Sequence, residues 1–186
     1  MLNYPLIRLL KANIASKFVK NIKLEDESSL TFRAGIFDID PFIEINNGRY
    51  LTLADVGRFN HGFRTGFYKK ARSENLYFTV VGVSAKYRYR IPFGKNFTMT
   101  TKIIHTDEKW IYYLTDFSHN NRVSTSLLAR TGVLRAGKLV RPNEVEEIFQ
   151  MKLTKYQVPE WVELWIKSDF KRPGFEKSST QVTQKF

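Results

Sequence analysis

A chain of 186 residues, 42% hydrophobic and 15% aromatic, carries enough apolar material for one packed domain with appendages, which excludes a wholly disordered protein. It has no cysteine, hence no disulfide framework, thiolate nucleophile or zinc–thiolate site; any nucleophile must be an oxygen, and a reducing, cytoplasmic setting is permitted. Against 18 Asp+Glu stand 30 Lys+Arg, and the formal charge of +12 points to an anionic partner without choosing among nucleic acid, an acidic membrane surface and a phosphate-bearing ligand.

Residues 1–29 read as an N-terminal amphipathic extension. Leu6, Leu9, Leu10, Ile14 and Phe18 recur at helical spacing, and Arg8, Lys11, Lys17 and Lys20 interrupt them. Those charges break any apolar run of the ~18 residues a bilayer span needs, and no secretory cleavage pattern follows. The apolar face of this helix either packs on the domain or a partner subunit, or lies on anionic lipid as a basic interfacial helix, giving a membrane-peripheral protein.

The main domain is expected over 30–138. Leu30 to Asp38 alternates as a first strand, and Asn46 or Asn47 then caps a helix. Tyr50, Leu53, Ala54, Gly57 and His61 share one stripe of that helix, while Leu51, Val56, Phe59 and Phe63 occupy other sides. An almost uniformly apolar helix suits the centre of an enclosing sheet, with Gly48 and Gly57 permitting close approach. Residues 62–72 finish this helix or form a short second one. A long strand over 76–91 is apolar on both faces at first, then alternates Lys86, Arg88 and Arg90 against Tyr87, Tyr89 and Ile91. Strands over 97–105, 110–118 and 123–135 follow, with turns at 106–109 and 119–122. The order is strand, helix, then four strands in a meander, an α+β class. Residues 139–175 read as a C-terminal helical extension, in which Trp161, Leu164, Trp165 and Phe170 form a stripe packing back on the domain; 176–186 read as a disordered tail.

Chemistry concentrates between Phe37 and Arg58. Asp38 and Asp40 end a β-like run, Pro41 stops the ladder, and Asn46-Asn47 stand where a helix begins. An acid is thereby delivered beside a helix N-terminus, whose free N–H groups can stabilise a developing oxyanion. Asp38 reads as a turn acid or support. Asp55 and Arg58, three apart, read as a pair neutralising each other. His61, His105 and His119 lack metal-like spacing, so no metal is expected. Ser124 to Ser126 lack a G-x-S-x-G elbow, and no glycine-rich phosphate loop occurs.

The D-x-D-P pattern from Asp38, with Tyr50 beyond it, resembles the 4-hydroxybenzoyl-CoA thioesterase type of hotdog enzyme. D-I-D-x-x-x-x-x-N-N-x-x-Y over Asp38 to Tyr50 is similar to the D-L-D-x-x-x-H-x-N-N-x-x-Y motif of acyl-ACP thioesterases and of the thioesterase superfamily member six group. Ala54-Asp-Val-Gly-Arg58 looks like the end of that family's central helix, and Val158-Pro159-Glu160 followed by Trp165 looks like the tail of the member six group. The resemblance covers about residues 30–166 and implies a hotdog fold, a long central helix wrapped by an antiparallel sheet of about five strands. It implies an acyl-CoA or acyl-ACP thioesterase of fatty acid metabolism, needing no cofactor beyond the coenzyme A or phosphopantetheine of the substrate, and a homodimer or tetramer.

By the same resemblance Asp40 is the catalytic carboxylate, as nucleophile or general base, with N–H groups near Asn47 and Gly48 holding the carbonyl oxygen and Asn46 and Tyr50 shaping the substrate site. Glu44 departs from the pattern, which has His there. It assists Asp40 as a base, or it marks a non-catalytic acyl-binding or membrane-surface protein. Lys86, Arg88 and Arg90 form either a solvated strand face or a cradle for coenzyme A phosphates or for acidic carrier protein. Nucleic acid is disfavoured, because the tyrosines alternate to the opposite face from the cations.

Overall fold

A computed structural model describes residues 4–150, 153 and 157–173. Helix α1 (Leu6–Ser16) precedes strand β1 (Ser28–Arg33), a 3-10 turn (Ile36–Asp38), the long helix α2 (Asn47–Arg64) and a short α3 (Phe67–Ser73). Strands β2 (Leu76–Tyr87), β3 (Asn96–Thr106), β4 (Ile111–His119), β5 (Arg122–Arg135) and β6 (Lys138–Val140) follow, then helices α4 (Pro142–Phe149) and α5 (Glu160–Phe170). The expected disordered tail lies outside the described residues.

The strands form one antiparallel sheet in the order β1-β3-β4-β5-β2, with β6 added on β5. The expected four-strand meander needs correction: β3, β4 and β5 follow one another through tight turns, but β2 pairs with β5 at the far edge. The reason is local. After β2 the chain turns back through 88–95 and runs beside β1, so β3 lies on the opposite side of the sheet, between the edge strand β1 and β4. The β4–β5 connection is a two-residue turn in which Asn120 and Asn121 both have positive φ, the asparagine chemistry of a type I′ hairpin.

Helix α2 packs against β1, β3, β4 and β5. Leu53, Ala54 and Val56 are fully buried and cluster with Phe97, Met99, Phe117 and Leu127 from the sheet and with Ile91 from the connection after β2. Gly57 is what lets the helix approach: a Cβ there would overlap Thr101 Oγ1 and sit 3.3 Å from Met99 Sδ. His61, expected to be structural or surface, is buried further along the same face. Its Nε2–H donates to the Asp26 carbonyl at 3.0 Å and Nδ1 has no partner among the described residues; burial lowers its pKa to about 4, outweighing the opposing effect of the Asp26 bond. Asp55 and Arg58 do form the intrahelical ion pair.

Two further expectations change. β1 stops at Arg33, and Asp38 closes a 3-10 turn instead of ending a strand. In α5 the inward side is Val162, Trp165 and Ile166, packed on Ile104, Tyr112 and Leu128 of the sheet's outer face, while Trp161, Leu164 and Phe170 stay exposed. Trp165 lies over Gly82, where a Cβ would sit 3.3 Å from the ring, and 4.6 Å from the Arg130 guanidinium. Arg130 in turn faces Asp169 at 3.0 Å. This ion pair and the indole clamp α5 to the sheet.

Candidate active site

The site is built on the N-terminus of α2. Asn46 is the N-cap, its Oδ1 accepting the Gly48 N–H at 2.8 Å. That bond occupies one of the two amides nominated for the oxyanion. Among the described residues no acceptor meets the Asn47 N–H, so of the two it is the donor left over for a ligand. Aligned peptide dipoles add a partial positive charge at this end.

Ahead of the cap, the chain from Asp40 to Glu44 closes on itself: the Asp40 N–H donates to the Glu44 carbonyl at 2.9 Å and the Ile43 N–H to the Asp40 carbonyl at 3.0 Å. Asp40 Oδ1 accepts the Phe42 N–H at 2.9 Å, an Asx turn. Asp40 Oδ2 has no hydrogen-bond partner among the described residues and is open to water or substrate. Ile43 is held at φ 61°, a costly conformation for a β-branched residue. Neighbouring backbone bonds enforce it: Ile45 N–H to the Ile91 carbonyl at 3.0 Å, and Phe93 N–H to the Ile43 carbonyl at 2.9 Å.

Asp38, two residues earlier, is used differently. Its carboxylate is 2% exposed and is gripped by Arg8 at 2.6 and 2.9 Å, by Arg49 at 2.8 Å and by the Gly35 N–H at 2.8 Å. Burial alone would raise its pKa; the Arg8, Gly35 and Arg49 hydrogen bonds outweigh it and hold the carboxyl below its ordinary value. Its carbonyl also accepts the Asn46 N–H at 2.8 Å, so Asp38 fixes where α2 starts. Arg8 and Arg49 were missed as site-supporting residues. Arg49 lies within the motif and was legible there; Arg8, thirty residues away, was not.

Beside the α2 N-terminus lies a cavity of about 280 Å³, lined by Glu44, Asn47, Tyr50, Tyr87, Arg88 and Arg90 among others. Five of the nominated residues therefore share one wall. Asp40 and Lys86 do not line this cavity: Asp40 sits in the adjoining loop and Lys86 stands exposed on β2. The carboxylate in the wall is Glu44. Tyr50 is buried, its ring 4.9 Å edge-on to Phe117 and 5.7 Å from Tyr87, whose hydroxyl donates to the Asn47 carbonyl at 3.0 Å. Burial raises the pKa of the Tyr50 hydroxyl, which keeps it neutral.

The cation face is corrected as well. β2 ends at Tyr87, because the Ser124 carbonyl accepts both the Arg88 and Tyr89 N–H, at 2.8 and 3.2 Å, and the chain bends there. Tyrosines and arginines consequently line the same cavity instead of opposite faces. The Arg88 guanidinium rests on Ser126 Oγ at 2.9 Å. Among the described residues no group of three His, Cys, Asp or Glu is placed to hold a metal, and no helix is long and apolar enough to cross a membrane.

Residues 35–166 match the family model described as Thioesterase-like superfamily. The chain belongs to that superfamily. Its sequence is similar to Protein THEM6 of Danio rerio, 29% identical over 137 residues, 73% of this chain and 66% of that one. It is also similar to Protein THEM6 of Drosophila melanogaster, 27% identical over 157 residues, 80% of this chain and 77% of that one. The chain thus spans a little under two thirds of the Danio rerio relative. Among solved structures it superposes on the DHNA-CoA thioesterase of Staphylococcus aureus with a TM-score of 0.58 at 16% identity, covering 77% of this chain and 91% of that one. On BH1999 gentisyl-coenzyme A thioesterase the TM-score is 0.56 at 17% identity, covering 66% of this chain and 99% of that one. The fold is accordingly the α+β hotdog fold.

Proposed function

We propose that the chain hydrolyses an acyl thioester of coenzyme A or of acyl carrier protein, with Asp40 as the acting carboxylate. The observation that carries this reading is that, in a thioesterase-superfamily chain, the loop leading into α2 bears Asp40 with Oδ2 open while the Asn47 N–H at the start of α2 has no acceptor among the described residues. Asp40 takes a proton from water as the water oxygen bonds to the carbonyl carbon, or bonds to that carbon itself to give an anhydride that water opens. On either route the carbonyl oxygen gains charge beside the Asn47 N–H, the C–S bond breaks, and the products are a free acid and a protonated thiol. Glu44 assists from the cavity wall as a second acceptor, and Asn46 holds the helix start in place. Arg88 and Arg90, with Lys86 farther out, supply positive charge for coenzyme A phosphates or an acidic carrier protein. No cofactor is needed beyond the substrate's own thiol carrier.

The exposed edge strand β2, bearing Tyr77, Val80, Val81 and Val83 at its surface, suits pairing with a second copy, and a homodimer is part of this proposal. A second reading, a non-catalytic acyl-binding hotdog protein, is favoured by Glu44 in the cavity wall and by the capture of the Gly48 N–H. Thiol release from a panel of acyl-CoAs separates them. The enzyme reading expects turnover by the wild-type chain and its loss, by at least about a hundredfold, in Asp40→Ala. Equal rates in both proteins would remove Asp40 from the mechanism, and a bound acyl thioester recovered intact after long incubation would favour the second reading.

A further inference from the structure

Helix α1 is mounted with its larger side chains outward. Pro5, Ala12 and Ser16 are buried and Leu9 is half-buried, whereas Leu6, Ile7, Leu10 and Ile14 are exposed. At 100° per residue these four fall within an arc of about 100°, a continuous apolar stripe. Phe18, 83% exposed, prolongs it past the helix end. Single exposed apolar residues are ordinary; a contiguous stripe marks a contact surface. The stripe is prevented from turning inward, because Arg8 on the other side is held by Asp38 and by the Arg33 carbonyl at 2.8 Å.

Exposed apolar side chains also stand on the active-site loops that Arg8 ties to α1. Ile36 and Phe37 project from the 3-10 turn that Arg8 grips, Phe37 with 81% of its surface open. Past Asp40, Phe42 is 80% exposed and Ile43 61%, and the Ile43 carbonyl ties Phe93 into the same ridge. Around this surface stand exposed cations, Lys11, Lys17 and Lys20 along α1 and beyond it, Arg33 and Lys95 beside the loops, and α1 itself carries no acid.

We propose that this face docks on an anionic lipid surface, α1 lying in the interfacial plane and the Asp40 loop held against the headgroups. Charge decides the occupant. A second copy would bring the same lysines into apposition around a self-paired stripe, whereas an apolar stripe bordered by lysines is the composition that anionic lipid attracts. The inference stands on the surface alone and does not require hydrolysis.

Flotation of the full chain with phosphatidylcholine vesicles, with and without phosphatidylserine, tests it. The chain is expected to float with the phosphatidylserine vesicles and to be released in part by high salt. The double variant Leu10→Asp/Ile14→Asp is expected to lower the partition coefficient by at least about tenfold, with circular dichroism and elution volume unchanged. Should that variant misfold, Lys11→Glu/Lys17→Glu, confined to exposed positions, is expected to cut recovery on the charged vesicles by about tenfold. No flotation of the wild type, equal recovery on both vesicle types, or variants that bind like the wild type would overturn the proposal. So would a variant that splits an oligomer while the wild type shows no vesicle binding, which would make the face an interface between copies. Hydrolysis of a soluble acyl-CoA, assayed in parallel, reports separately on the enzymatic reading.

Discussion

Asp38 and Asp40 are the same residue type two positions apart, and the fold treats them in opposite ways. Asp38 is sealed among two guanidiniums and a backbone amide, while Asp40 sits in an adjoining loop with one oxygen committed and the other free. A carboxylate whose lone pairs are all satisfied can fix geometry but has nothing left to offer a substrate; one with an open oxygen can act but cannot anchor. The stretch divides these tasks between neighbours. Asp38 sets the start of α2 through its carbonyl and ties α1 to the domain through Arg8, so the loop bearing Asp40 runs between two anchored points.

The contrast is most exposed by amide substitutions. Asp40→Asn is expected to cut thioester turnover at least about a hundredfold and change stability by less than about 0.5 kcal/mol, measured by initial rates and denaturant melts. Asp38→Asn is expected to cost about 3 kcal/mol of stability, since it leaves Arg8 and Arg49 facing a neutral group in a buried setting. If the two variants showed the same profile, the division of labour would be wrong.

Acid unfolding sharpens the comparison. His61, ordinarily near 6.5 and lowered to about 4 in the fold, contributes stability that is present above 6.5 and is lost as pH falls toward 4, roughly 3 kcal/mol in all. Asp38, also lowered, contributes stability present above the ordinary carboxylate value and lost only as pH falls below it. Denaturant midpoints against pH are therefore expected to decline in two stages. His61→Gln, which keeps a donor for the Asp26 carbonyl, is expected to flatten the upper stage, and Asp38→Asn the lower one. The smallest effect is expected at Ile43. Replacing it by Asn, which accepts positive φ more readily, is expected to raise stability by about 1 kcal/mol and to leave the Asp40 loop closed.

Much of the frame was legible because it is written in local periodicity. Alternation over 97–105 and 110–118 lies within a residue or two of the observed strands, and Asn46 announces the helix start through its own side chain. What was illegible depends on contacts between distant positions. Nothing near Arg8 signals that its partner is Asp38, and strict alternation through Arg90 gave no warning that the Ser124 carbonyl would bend the chain after Tyr87. Periodicity in α1 reported an apolar side without reporting that Ala12 and Ser16, on the other side, would be the ones buried. For α5 it picked Trp165 correctly and misjudged its neighbours, because the residues that share Trp165's contact with the sheet are Val162 and Ile166.

The α5 clamp carries a consequence for synthesis. Arg130 is made about forty residues before Asp169, and until α5 emerges its guanidinium stands without its counter-charge on a bare sheet face where Ile104, Tyr112 and Leu128 meet water. During that interval the nascent chain carries an adhesive outer face, and a ribosome stalled ahead of Trp165 would hold a sheet with one side unsealed.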